Sequence, residues 1–350
     1  MKISGKALVR RWGWRAVGLA VTGIGLYLVA PSLLTMFGAW PQLGGVAVRW
    51  FVVLAVLEIC SFAALWWLAR IALAPEPVDA PMADGQVEVV PQLGWGTTAT
   101  AQLAGNAASK VVPGGAATGG VVQAKVLISA GQPAAAVASG LTAVNLLGTA
   151  VLLLLPVFTI PALIIGPPPA KQLQLGLVVS VILAAAIVAV GVTALTWPRV
   201  VAVIGRGIGR TVHVVRASVT PEGLSDTLLA QRDRIAAAFE AHWWRATFAA
   251  AANRMFDYAA LVAALVAFQA HVRPAEVLLA YVVAQALAII PITPGGVGFV
   301  DAGLTTLLVL VGVPADTALI GVLLYRLFSF WLPIPLGALA WAGWRTTHRV

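Results

Sequence analysis

Residues 289–303 read IIPITPGGVGFVDAG. An apolar run meets Pro291, then Pro294, Gly295 and Gly296, and resumes with a carboxylate, Asp301, inside it. Proline inside a helix removes one N–H and clashes with the carbonyl four residues back, so the run breaks here. In hydrocarbon such a break frees backbone polar groups, which is tolerated only where they are buried in protein or line a watery cavity. The sequence therefore predicts a helix that restarts at Gly296. Its free N–H groups and the positive end of its dipole point inward, an arrangement suited to a phosphate.

The surrounding composition defines the solvent. Apolar residues make up 60% of the 350 and charged residues 10%, against about a quarter charged in soluble domains. Mean hydropathy is +0.94. Helical apolar segments are expected at 16–37, 46–73, 94–112, 116–131, 134–156, 173–197, 243–268, 276–292, 297–312 and 316–343, with a polar segment at 198–242 holding one surface helix. A span needs roughly 20 helical residues, so 116–131, 276–292 and 297–312 read as halves of re-entrant hairpins. The predicted fold class is an all-α polytopic membrane bundle in one domain.

Basic residues orient it. With the N-terminus (Lys2, Lys6, Arg10, Arg11, Arg15) in the cytoplasm, 74–91, 198–242 and the C-terminus also lie inside. Only Arg49, Lys171 and Arg273 fall outside. The first helix lacks a cleavage site and is expected to be retained. The net charge of +9 spreads along cytoplasmic edges without an aromatic-basic motif, which argues against nucleic acid as a partner. The single cysteine, Cys60, permits no intrachain disulfide, and the four histidines show no metal-ligand spacing. No cofactor is expected.

The chain also repeats itself. Shifted by 181 residues, 112–140 falls on 293–321 without a gap: Pro113, Gly114 and Gly115 meet Pro294, Gly295 and Gly296, and Gly131, Pro133 and Gly140 meet Gly312, Pro314 and Gly321. An odd number of crossings between the copies predicts an inverted-topology repeat. Its parts are an N-terminal helix pair (16–73), a first repeat core (91–156), the polar segment (198–242) and a second repeat core (272–343).

Charge at membrane depth supplies the candidate site. Arg326 lies ten residues into its helix, about 15 Å deep. Arg254 is similarly deep, with Asp257 one turn on along the same face. Intramembrane arginine is costly, so Arg254, Asp257, Asp301 and Arg326 are expected to pair or to line water. They border a groove for a lipid headgroup, or they are structural ion pairs; both readings stand at this point. In the first copy Lys125 is the candidate for an anionic headgroup, Lys110 a candidate helix cap, and Glu58 a lone acid that can meet Lys125.

IPITPGGVGFVDAG, then LVGVP, then LLYRLFSFWLPIPLGAL closely resemble the signature of the lysylphosphatidylglycerol synthase/flippase transmembrane family. The resemblance implies an integral membrane protein of the bacterial inner membrane with both termini cytoplasmic. It further implies that Asp301, Tyr325 and Arg326 stand at the family's acid and Tyr-Arg positions, and that NRMFDYAAL carries its polar patch at Asp257. In full-length aminoacylating members this region moves lipid between leaflets. The chain is expected to lack the separate soluble domain that attaches lysine, and so not to be an enzyme. Where an acid and an arginine commonly follow the first-half proline, Ala117, Thr118 and Val121 stand instead.

The leading expectation is transport of an anionic phospholipid, a glycolipid or a polyprenyl-phosphate-linked lipid between leaflets. Its substrate contacts are Arg254, Asp257, Asp301, Tyr325, Arg326, Lys125 and the glycines Gly114, Gly115, Gly295 and Gly296, with membrane lipids as partners. The alternative is a non-catalytic subunit that anchors an envelope-biosynthesis enzyme through 198–242.

Overall fold

The computed structural model describes residues 44–74, 93–112, 115–159, 198–215, 220–240, 242–288 and 296–347, with single positions between 178 and 197. The predicted helix 16–37, most of 173–197, and the break residues Pro113, Gly114, Pro294 and Gly295 lie outside the described residues.

The described chain is all-helical. In order it comprises α1 (Val48–Ala72), α2 (Trp95–Val111), α3 (Ala116–Ser129), α4 (Ala134–Leu154, extended by a 3-10 turn Leu155–Thr159), α5 (Pro198–Val215), α6 (Pro221–Glu240), α7 (Trp243–Ala267), α8 (Pro274–Leu287), α9 (Phe299–Leu310), α10 (Ala315–Arg326, followed by a π turn Leu327–Trp331) and α11 (Pro333–Thr347). Four stretches are long and apolar enough to cross a membrane: 48–72, 134–157, 243–267 and 315–347. Helices α3, α8 and α9 have 14, 14 and 12 residues. At about 1.5 Å per residue, each falls short of a hydrocarbon core of about 30 Å.

Helix α1 shows why these are membrane helices. Val48, Val52, Val56 and Ile59 form an exposed apolar stripe, while Leu54, Glu58, Ser61 and Leu68 face inward. In water that stripe would be on the wrong side; toward lipid it costs nothing. The inward face packs along α7. Trp67 meets Phe248 near one end, and Ser61 exchanges hydrogen bonds with Asn253 near the middle. Rising numbers in α1 meet falling numbers in α7, so the two are antiparallel. Buried Tyr258, Leu261, Leu265, Val277, Tyr281 and Leu308 form the main core where α7, α8 and α9 join α1.

One backbone turn recurs 181 residues apart. Gly131 and Gly312 take φ of 90° and 91°, and Gly115 and Gly296 take 51° and 74°, conformations that favour glycine. The hydrogen bonds of the turn repeat as well: Gly131 N–H donates to Ile128 O and Gly312 N–H to Val309 O, both at 3.0 Å. Gln132 N–H donates to Leu127 O and Val313 N–H to Leu308 O. Pro133 and Pro314 then stand as the N-caps of α4 and α10.

Small residues let the helices approach, as expected where lipid supplies no hydrophobic drive between them. A Cβ on Gly119 would lie 2.6 Å from Gly105 O, which fixes the α2–α3 crossing, and one on Gly337 would lie 2.2 Å from Leu103 O and 2.6 Å from Ala107 Cβ, where α11 crosses α2. Gly337→Leu is expected to force α2 and α11 apart at a cost of about 1–3 kcal/mol. A lowered melting temperature of the purified protein checks this; Gly343→Leu, which meets nothing within 4 Å, should leave it unchanged.

The polar segment differs from expectation. Two helices, α5 and α6, pack against each other where one was predicted. Helix α5 begins at Pro198, a favoured first position, and carries Arg199, Arg206 and Arg210 on one side and exposed Ile204 and Ile208 on another. Three glycines and two arginines in GRGIGR mask that amphipathic pattern in a reading by average hydropathy.

Candidate functional site

Polar groups from six helices converge where α1, α2, α7, α8, α9 and α10 meet. The centre is Asp257 on α7. Its Oδ2 accepts the Tyr281 hydroxyl at 2.6 Å and the Gln285 amide at 3.0 Å, and its Oδ1 accepts the Tyr325 hydroxyl at 2.9 Å. Tyr281 and Gln285 lie one turn apart on α8, so a single helix face supplies two of the three donors. Tyr281 and Tyr325 are buried, and a buried phenol needs such a partner.

Asp301 and Arg326 form an ion pair between α9 and α10. Asp301 Oδ2 also accepts the Gly298 N–H at 3.0 Å. The helix N-terminus that the sequence offers to a phosphate therefore already holds a carboxylate of the protein itself. The helix begins at Phe299 rather than Gly296, with Gly298 as its N-cap at φ 79°.

The third element is a latch. After Arg326 the chain makes a π turn, marked by the Leu332 N–H donating to Leu327 O at 2.8 Å. Ser329 O would ordinarily accept the N–H of residue 333, but that residue is proline and has none. Lys110, at the end of α2, donates its ammonium to Ser329 O at 2.7 Å and Phe330 O at 3.3 Å. The Phe330 ring lies between Lys110 Nζ at 4.8 Å and the Arg326 guanidinium at 5.5 Å. Lys110 thus caps carbonyls, as expected of it, but those of α10 rather than of its own helix.

Glu58 and Arg254 complete the cluster. The antiparallel register of α1 and α7 sets Glu58 beside Asp257, within electrostatic reach of Lys110 rather than of Lys125. Glu58 Oε1 and Arg254 Nε are buried and have no hydrogen-bond partner among the described residues. Arg254 lies over Gly148 of α4, where a Cβ would be 3.8 Å from its Nη2. It forms no ion pair with Asp257, whose oxygens accept from the two tyrosines and the glutamine. The cluster gathers three acids (Glu58, Asp257, Asp301) and three cations (Lys110, Arg254, Arg326), of which Asp301 and Arg326 form an ion pair. A cavity of about 10 Å³ lies beside the cluster, lined by Tyr281, Ala284, Gln285, Tyr325 and Arg326, room for about one water.

A family model for the lysylphosphatidylglycerol synthase TM region matches residues 6–337. The chain belongs to that family. No curated protein and no solved structure matches it.

Among the candidate residues of this synthase-family membrane region, Asp257, Asp301, Tyr325 and Arg326 come together, and Arg254 borders them. Lys125 stands apart on α3, exposed, with its ammonium 5.8 and 5.9 Å from the stacked rings of Trp341 and Trp344 on α11. Gly115 and Gly296 are turn glycines of the repeat; Gly114 and Gly295 lie outside the described residues. Tyr281, Gln285, Lys110 and Glu58 are the cluster members that the sequence reading did not assign as substrate contacts. The spacing of Tyr281 and Gln285, two polar side chains one turn apart in an apolar helix, is the signal that points to them.

Proposed function

We propose that the chain moves phosphate-bearing lipids between leaflets, with the headgroup travelling past the charged cluster while the tails stay in the bilayer. The single observation that carries this is the convergence of three acids and three cations from five helices, with Glu58 Oε1 and Arg254 Nε left unpartnered among the described residues. Buried groups without partners are rare in native proteins and call for an explanation. A headgroup or water that binds in another conformation supplies one. The cations Lys110, Arg254 and Arg326 suit a phosphate, and the acids keep it from binding too tightly to leave.

The cavity of about 10 Å³ is closed to a headgroup, so transport requires a second conformation. The matching glycine turns support an inverted-repeat architecture with re-entrant hairpins, in which one half rocks against the other. The latch from Lys110 to the π turn joins the two halves and is the contact to be exchanged. In this proposal the protein is a transporter, not an enzyme, set in the bacterial inner membrane with both termini cytoplasmic.

The test is leaflet exchange of fluorescent phosphatidylglycerol and a short polyprenyl phosphate in proteoliposomes. Faster exchange than in protein-free vesicles for at least one lipid supports the proposal. Equal rates for both would remove it and leave the anchoring role.

A further inference from the structure

A second polar site lies at the other end of the α1–α7 pair. Trp67, Arg70, Ile71, Leu73 and Leu93 line a cavity of about 270 Å³ together with His242 and Arg245. Arg70 closes α1 and Arg245 opens α7, so the antiparallel pairing brings both guanidiniums to one membrane face. Two cations facing one cavity repel unless an anion sits between them, and no carboxylate is among the described residues that line it.

The two arginines are held ready. Arg70 Nε donates to Leu93 O at 2.9 Å and its guanidinium lies 4.5 Å from the Trp95 ring centroid. Arg245 lies 5.3 Å from the Trp244 ring centroid. Trp95, Trp243 and Trp244 are exposed around the rim, the amphipathic belt that marks the headgroup level of a bilayer. Below the rim the walls are apolar: Trp67, Ile71 and Leu73. A soluble anion has no use for those walls. An acyl chain does.

We propose that this cavity binds the phosphate of an anionic glycerophospholipid, with Arg70 and Arg245 on the phosphate and His242 at its edge. The site is separate from the charged cluster around Asp257, and its occupancy does not depend on whether lipid crosses the membrane.

The test uses the full chain in nanodiscs of phosphatidylcholine doped with phosphatidylglycerol, read by native mass spectrometry as lipids retained after the disc is stripped. Wild-type protein should retain phosphatidylglycerol over phosphatidylcholine. Arg245→Gln should lower that retention about tenfold, the loss of one charge-assisted contact, and Arg245→Lys should recover part of it. Arg245 makes no hydrogen bond within the structure, so this variant keeps the fold where Arg70→Gln would free Leu93 O.

Two controls separate the occupants. Inorganic phosphate at equal concentration should not displace the lipid; displacement would show a soluble-anion site. A benzophenone side chain at Ile71 should crosslink to lipid. Crosslinking instead to residues 75–92, which include Asp79, Asp84 and Glu88, would show that the chain supplies its own anion. Either result, or equal retention in wild type and Arg245→Gln, overturns the proposal.

Discussion

Arg326→Ala is expected to reduce lipid exchange at least tenfold and to lower the melting temperature. Loss of the arginine leaves Asp301 as a partly buried carboxylate with only the Gly298 N–H on one oxygen. Removing one partner of a buried pair costs about 3–5 kcal/mol. Side-chain exposures of 14% and 23% admit some solvent, so the lower end applies. The double variant Asp301→Asn/Arg326→Gln separates the two roles. With both charges of the pair gone, neither position holds a charge that has lost its partner, and the melting temperature should return most of the way to wild type. Exchange should stay low, because the cation that meets the phosphate is still missing. Recovery of both together would mean that the pair holds helices α9 and α10 and does nothing else.

Asp257→Ala should be the most destabilising single change in the cluster. It strips the acceptor from the Tyr281 and Tyr325 hydroxyls and the Gln285 amide at once. Each buried donor left unsatisfied costs about 1–3 kcal/mol, and the remaining Gln285–Tyr325 contact of 3.5 Å is too long to compensate. Little folded protein is expected on size-exclusion chromatography. Asp257→Asn should be milder, because its oxygen still accepts one phenol while its NH2 confronts a second donor. That second donor is Tyr325, which alone meets Oδ1, so adding Tyr325→Phe removes the confrontation and should raise the melting temperature of Asp257→Asn, although Tyr325→Phe alone lowers it. This sign reversal is the signature of a shared acceptor and is measured by a double-mutant cycle.

Several parts of this architecture were legible in the chain because they depend on local chemistry. Apolar length places α1 at 48–72 against an expected 46–73 and α7 at 243–267 against 243–268. Gly131 and Gly312 were readable as paired turns because no other residue tolerates φ near 90° so readily. Arg326 and Asp301 announced themselves by the cost of charge at that depth.

What was not legible depends on partners far apart in sequence. Tyr281 meets Asp257 across 24 residues and Lys110 meets Ser329 across 219, and periodicity carries no information about such pairs. In LLAYVVAQAL the spacing of Tyr281 and Gln285 marks a polar face, but nothing local says that the face meets a carboxylate on another helix. Arg254 and Asp257 share a helix face, yet the arginine loses the acid to phenols from α8 and α10. Lys125, expected at an anionic headgroup, is exposed on α3 with its ammonium 5.8 and 5.9 Å from the rings of Trp341 and Trp344, more than 200 residues away in the chain.

The central claim is that the charged cluster opens to water and headgroups from each side of the membrane. Ala284 is buried and lines the small cavity beside Tyr281 and Arg326, so Ala284→Cys in a Cys60→Ser chain places one thiol there. In sealed proteoliposomes this thiol should react with a membrane-impermeant thiosulfonate added to either face, and lipid substrate should slow both reactions. A thiol that stays unmodified from both faces, in protein that is folded and whose thiol reacts once denatured, would contradict the account.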